Sequence, residues 1–177
     1  MKVVFVRHTS VAVPKGVCYG RSDVPLADTF VSEAESVRRR LDGYSFDRVY
    51  SSPLSRCARL AAFCGFGNTV FDYRLMEMDF GEWEMMAYDE IADPRLQLWY
   101  ADFLNVRPTG GESSMEQRER FLSFIADLRA VAGPEECVAV FTHGGIMIHA
   151  LVALCGHGYG DVFANPPGYG AVMEVEI

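Results

Sequence analysis

Three stretches of this sequence place reactive side chains directly after an apolar run. Lys2-Val3-Val4-Phe5-Val6 leads into Arg7-His8-Thr9-Ser10, and Arg48-Val49-Tyr50 leads into Ser51-Ser52-Pro53-Leu54-Ser55-Arg56. Val138-Ala139-Val140-Phe141 leads into Thr142-His143-Gly144-Gly145. Such β-branched and aromatic runs read as buried strands, and packing gives them no reason to end on cations, imidazoles and hydroxyls. In open parallel sheets ligands bind just beyond the carboxyl ends of the strands. If the three ends share one edge, Arg7 and Arg56 converge with His8 and His143 on one small volume. Like charges repel and buried charges need counter-ions, so an incoming dianion would complete the set. Phosphate suits the bidentate donor geometry of arginine.

The elements that must hold these groups follow from periodicity. Ser32-x-x-Glu35 has the form of a capping box, with Ala34, Val37 and Leu41 following at helical spacing. A helix is expected from Cys57 to Cys64 and a third strand over Thr69-Val70-Phe71. Leu75 to Trp83 reads as an acidic, aromatic loop, and Tyr88 to Leu104 as helical with a break at Pro94. Ser113-x-x-Glu116 is a second capping box, opening an amphipathic helix that carries Phe121, Phe124, Ile125 and Leu128 on one face. Gly133-Pro134 stops that helix, Ile146 to Leu154 forms another, and Ala171 to Ile177 alternates as a closing edge strand. Val11 to Asp28 is a long irregular loop, a class that is functional or disordered. Alternating strands and helices predict a three-layer α/β/α sandwich with a mostly parallel central sheet.

The 177 residues fit one domain, 1–177, with enough chain to bury a core. No apolar run approaches the ~20 residues needed to span a bilayer, and no small-residue cleavage site follows the first strand. Neither a membrane role nor a signal peptide is therefore expected. Five cysteines, an odd number with no C-x-x-C pair, argue against a disulfide framework and a zinc site, and point to a reducing cytoplasm. A net charge of -8 argues against nucleic acid as a partner. Arg38-Arg39-Arg40 reads as a solvated helix face, and a homodimer through exposed aromatics stays open as an expectation. Gly156-His157-Gly158-Tyr159-Gly160 follows a helix rather than a strand and fits no nucleotide-binding pattern. His149 and His157 read as ordinary helix and loop residues.

Five segments occur in a telling order: Arg7-His8-Thr9, Ser52-x-x-x-Arg56, Leu75 through Glu84 (LMEMDFGEWE), Gly110-Gly111-Glu112-Ser113 and Thr142-His143-Gly144-Gly145. Together they resemble the histidine phosphatase superfamily, the phosphoglycerate-mutase-like fold, across essentially the whole chain. Within it, Cys18-Tyr19-Gly20-Arg21-Ser22-Asp23-Val24-Pro25-Leu26 is similar to the loop of the α-ribazole-phosphate phosphatases of cobalamin assembly.

The resemblance implies a small phosphomonoester as substrate, with no cofactor and no metal. His8 would be the nucleophile that forms a phosphohistidine. It must be neutral to attack, and Arg7 and Arg56 nearby disfavour the imidazolium. A backbone carbonyl would fix its tautomer. Arg7, Arg56 and His143 would bind the non-bridging oxygens, and Glu77 would protonate the leaving alkoxide. That role calls for a raised pKa, from neighbouring Asp79, Glu82 or Glu84 or from burial beside Phe80 and Trp83. Thr9, Tyr19, Gly20, Arg21, Ser22 and Gly144 are candidate substrate-binding residues, and Glu112 reads as structural. Two departures stand out. Thr9 replaces the glycine that often follows the nucleophile, and Met85 stands where the acidic loop usually has Gly after Trp-Glu. Mutases of the superfamily carry extra covering segments that this short chain lacks, so hydrolysis is expected. The alternatives are a phosphosugar or nucleotide phosphatase, a phosphoglycerate mutase, or a non-catalytic phospho-ligand-binding module.

Overall fold

The structure, a computed structural model, describes residues 1–177. Five strands form one sheet in the order β3-β2-β4-β1-β5: β1 (Lys2–Arg7), β2 (Arg48–Ser51), β3 (Val70–Phe71), β4 (Cys137–Thr142) and β5 (Val172–Glu176). All pairings are parallel except β5, which closes antiparallel on β1. Side chains alternate across a strand, and here both faces are apolar. Val3, Phe5, Val138 and Val140 point to one face, where α4 (Ser114–Val131) and α5 (Gly144–Cys155) pack through Phe121, Phe124, Ile146 and Met147. Val4, Val6, Ala139 and Phe141 point to the other, against α1 (Phe30–Leu41) and α2 (Ser55–Phe63) through Val37, Leu41, Cys57 and Leu60. The result is the expected three-layer α/β/α arrangement with a mostly parallel sheet. No helix is long and apolar enough to cross a membrane.

Local details differ from expectation where tertiary contacts compete for a side chain. The 113–116 capping box forms, but the 32–35 box does not. The helix there begins earlier, at Phe30, because the Glu33 carboxylate accepts from Ser10 N at 2.8 Å and Thr29 Oγ1 at 2.6 Å, while Ser32 Oγ turns back to Thr29 O. Of the expected 88–104 helix only α3 (Arg95–Ala101) is present. Asp93, just before it, accepts from Trp83 Nε1, Thr109 Oγ1 and Arg95 N, which ties the preceding stretch to the acidic loop. A short helix that periodicity did not announce, α6 (Tyr159–Ala164), follows the left-handed Gly156 that ends α5.

The long 11–28 loop has almost no regular structure, yet it is fixed. Cys18 and Met85–Met86 exchange backbone hydrogen bonds of 2.8 Å, and Tyr88 N donates to Gly16 O. At that junction Met85 is the one non-glycine residue with positive φ, at 65°. The left-handed conformation costs an ordinary residue roughly 1–2 kcal/mol. Met85→Gly is expected to raise the unfolding free energy by up to about 1 kcal/mol, since part of the relief returns as the chain entropy of glycine. Met85→Ala keeps the strain and loses side-chain contacts, so it should lower stability. Denaturant titrations giving the two variants the same sign would contradict this.

Candidate active site

Sheet register brings the three strand ends level. Arg7 pairs with Thr142, His8 N donates to Thr142 O at 3.1 Å, and Ser52 N donates to Phe141 O at 2.9 Å. The rings of His8 and His143 lie 5.1 Å apart, and both residues are buried. His8 Nδ1 is 2.7 Å from the Thr9 carbonyl, which can only accept, so the proton sits on Nδ1 and Nε2 carries the lone pair. Burial, then the charges of Arg56 and Arg7, outweigh the Thr9 carbonyl and pull the His8 pKa down to about 3. The imidazole is therefore neutral near pH 7.

Arg56 is fully buried and faces no carboxylate. Its guanidinium donates to the carbonyls of Gly20 and Ser22, and its Nε donates to His143 Nδ1 at 3.2 Å. That bond makes Nδ1 of His143 an acceptor, leaving Nε2–H to donate to Ser52 Oγ at 2.8 Å. Burial and the Arg56 charge hold His143 well below the usual imidazole range. Both ring nitrogens of His143 are thus engaged within the protein, and neither Arg56 nor His143 lines the open cavity.

The loop that satisfies Arg56 is itself held by Glu84. One carboxylate accepts from Gly20 N, Arg21 N, Ser22 N, Ser22 Oγ and Phe80 N at 2.6–3.1 Å. Burial would raise its pKa, but these bonds outweigh it and hold Glu84 ionised. Gly20 is required here, because a Cβ would fall 1.8 Å from Met78 O. Of the residues anticipated as substrate contacts, Arg21 pairs instead with Asp79 at 3.2 Å and Glu112 at 3.4 Å, and the Ser22 hydroxyl is taken by Glu84. Tyr19 does line the cavity, with its hydroxyl 2.6 Å from that of Tyr169. The two tyrosine rings lie over Arg56 and Arg7 respectively. Arg7 also lines the cavity, with Gly144 packed behind its guanidinium. Its Nε and the Thr9 hydroxyl are buried without a protein partner.

Glu77 completes the polar end of the cavity. Its carboxylate accepts from Gln117 Nε2 at 2.9 Å, Met78 N at 3.0 Å and Gly145 N at 3.2 Å. A Cβ on Gly145 would lie 2.3 Å from that carboxylate, so only glycine permits the approach. Burial pushes its pKa up, but these hydrogen bonds and Arg7 outweigh it, and the net shift is downward. The expectation of a raised pKa in the free protein is therefore not met. Of the anticipated repulsive neighbours, Asp79, Glu82 and Glu84, two are committed elsewhere: Asp79 to Gly81 N and Arg21, and Glu84 to the 20–22 amides. Glu112 is structural, accepting from Asp79 N and Arg120.

Beyond Glu77 the cavity, about 530 Å³, becomes aromatic, with Phe80, Tyr88, Trp99, Tyr100, Phe103 and Phe163 on its walls. Sequence reading missed most of this half. It also missed Gln117, Tyr169 and His149. A usable signal was present for two of them: Gln117 lies three residues from Ser114 and His149 four from Gly145, which places each pair on one helix face.

This chain belongs to the histidine phosphatase superfamily (branch 1), whose sequence model matches residues 3–177. Its activity class is phosphomonoester hydrolysis. The chain is 28% identical over 163 residues to the adenosylcobalamin/α-ribazole phosphatase of Escherichia coli K12, covering 88% of this chain and 80% of that protein. It is 30% identical over 170 residues to a 2,3-bisphosphoglycerate-dependent phosphoglycerate mutase of Methylobacterium radiotolerans, covering 87% and 79%. The crystal structure of the α-ribazole phosphatase of Shigella flexneri superposes with a TM-score of 0.88 at 24% identity, covering 100% of this chain and 91% of that one.

The depressed imidazoles carry a stability signature. Below about pH 6.5 an unfolded histidine binds a proton that folded His8 refuses until about pH 3. The unfolded state therefore gains protons first, and stability falls as pH drops through that window, by up to about 1.4 kcal/mol per pH unit for each such group. Replacing His8 with Asn should flatten the fall in unfolding free energy below about pH 6.5 by one group's share. An unchanged slope in denaturant titrations would contradict a neutral, buried His8.

Proposed function

We propose that this phosphomonoesterase works through a phosphohistidine on His8 and hydrolyses α-ribazole 5'-phosphate to α-ribazole and phosphate, in cobalamin nucleotide-loop assembly. The observation that carries the substrate is the cavity's charge distribution. Arg7, at the phosphate end, is the one arginine or lysine on its wall. The leaving groups of phosphoserine and phosphoglycerate bear a carboxylate that would meet aromatic rings and no cation, a costly burial. A neutral ribonucleoside with a flat aromatic base meets rings it can stack on.

The chemistry follows from the tautomers. Nε2 of His8 attacks phosphorus while the P–O bond to the ribosyl oxygen breaks, and Glu77 gives that oxygen a proton. Water then attacks phosphorus as the P–N bond breaks, Glu77 takes a proton from that water, and phosphate leaves with His8 restored. Neither step requires a metal ion. Glu77 is ionised in the free protein, so its proton must arrive with the substrate. A phosphate group beside the carboxylate offsets Arg7 and lifts the Glu77 pKa, allowing it to take the proton of an ester monoanion. Arg7 meets the non-bridging oxygens directly. Arg56 adds positive charge from its buried position, and neutral His143, 5.1 Å from the His8 ring, is held in place by Arg56 and Ser52.

A panel of α-ribazole 5'-phosphate, phosphoserine, 3-phosphoglycerate and p-nitrophenyl phosphate tests the reading. For α-ribazole 5'-phosphate, kcat/KM should exceed that of both carboxylate-bearing esters by about a hundredfold or more. Glu77→Gln should lower kcat/KM by about 10²–10⁴ for the alkyl ester and much less for p-nitrophenyl phosphate, whose leaving group needs no proton. Equal losses on both would remove Glu77 from the proton-donor role. Interconversion of phosphoglycerates without phosphate release would replace the phosphatase by a mutase.

A further inference from the structure

Two helices build a polar ladder along one wall of the cavity. On α4, Ser114 and Gln117 are three residues apart; on α5, Gly145, Ile148 and His149 follow at i, i+3 and i+4, and all five line the cavity. The first rung is Gln117 with Gly145, both donating to Glu77. One turn further, a rise of ~5.4 Å, the second rung is Ser114 with His149, whose Oγ and Nε2 are 3.4 Å apart. We propose that this second rung is a hydroxyl-reading subsite for the sugar of the leaving group.

Three observations carry the assignment. Ser114 and His149 are buried polar residues on a cavity wall, yet their mutual contact is longer than a normal hydrogen bond. A ligand hydroxyl set beside the pair, within reach of both atoms, can accept from one and donate to the other. The His149 ring is held from behind by Tyr159 Oη, 3.0 Å from Nδ1, so Nε2 is the nitrogen presented toward Ser114. Burial also lowers its pKa to about 4, which makes it a neutral reader of a neutral group and not an anion site. Finally, the rung joins the Glu77 end, through Gln117 and Gly145, to the Phe163–Phe103 part of the aromatic wall, through Tyr159. Tyr159 stacks near Phe163, which in turn packs edge-on to Phe103 at 4.5 Å. The order along the cavity is phosphate, hydroxyl, aromatic ring, the order of groups in a nucleoside 5'-phosphate. A site built to hydrogen-bond a hydroxyl rejects the analogue lacking it, because its own polar groups are left unpaired.

The proposal rests on the phosphomonoesterase reading, and the experiment separates the two. kcat/KM is measured for adenosine 5'-phosphate, its 2'-deoxy and 3'-deoxy forms, and p-nitrophenyl phosphate, on wild type, His149→Phe, His149→Gln and Ser114→Ala. In wild type, removing one of the two hydroxyls should cost about tenfold or more. In His149→Phe and Ser114→Ala that discrimination should collapse toward one, while p-nitrophenyl phosphate turnover stays within about twofold. His149→Gln, which keeps a donor and an acceptor, should restore part of it. Equal loss on every substrate in all three variants would make the pair structural and overturn the proposal. So would wild-type indifference to both hydroxyls alongside normal p-nitrophenyl phosphate hydrolysis, which leaves the phosphatase reading standing. Wild type without activity on any ester would overturn both.

Discussion

A guanidinium buried without a carboxylate is the constraint around which the His8–His143 cluster of this protein is arranged. Removing Arg56 from water costs several kcal/mol unless its donors are met, and here they are met by two carbonyls and an imidazole. Each partner imposes a further requirement. His143 must be neutral with Nδ1 free to accept, which sends its Nε2–H to Ser52. The carbonyls of Gly20 and Ser22 must point inward, and Glu84 gathers the amides of residues 20–22 to make them do so. The left-handed Met85 follows directly after Glu84, so a strained residue sits at the anchor of the loop that satisfies the buried charge. Strain at such a point persists because the surrounding contacts over-determine it.

The same charge explains the state of the neighbouring groups. With Arg7 and Arg56 close by, burial leaves no favourable place for an imidazolium, and His8 is a neutral base with an available Nε2. Glu77 is the one anion at this end of the cavity, and it is stabilised by amides and Gln117 as well as by Arg7. The end therefore carries two fixed cations against one anion, an excess that a phosphate ester monoanion would cancel. Cancelling it would raise the Glu77 pKa, the shift that the proposed proton-donor role calls for. Arg7 and Glu77 share one cavity with a set of aromatic side chains, which in the proposed reaction would separate the group that handles phosphorus from the part that meets the alcohol.

The His8–His143 cluster was largely legible in the sequence because its residues sit at strand ends, where an apolar run breaks into chemistry. Arg7-His8, Ser52 and Thr142-His143 could be placed at one sheet edge on that ground alone. The layers were legible too, since alternate residues of β1 and β4 supply both cores. What was not legible depends on distant contacts. Ser32 and Glu35 have the same spacing as a real cap, but Ser10 and Thr29 compete for Glu33. The ionised state of Glu77 depends on Gly145, sixty-eight residues away in the chain. The aromatic wall is assembled from the 80–88 loop, the 99–103 segment and α6, none of which carries a periodic pattern that marks it as a pocket.

The central claim is that His8 carries the phosphoryl group. Rapid quenching of Glu77→Gln with p-nitrophenyl phosphate tests it most directly, since that leaving group departs without an acid while hydrolysis of the intermediate lacks its base. A burst of p-nitrophenol stoichiometric with enzyme, together with an acid-labile, alkali-stable phosphoryl label on the protein, is the expected result. The label should map to His8 and vanish in His8→Ala. Turnover with no burst and no label, or a label that survives the loss of His8, would contradict the account.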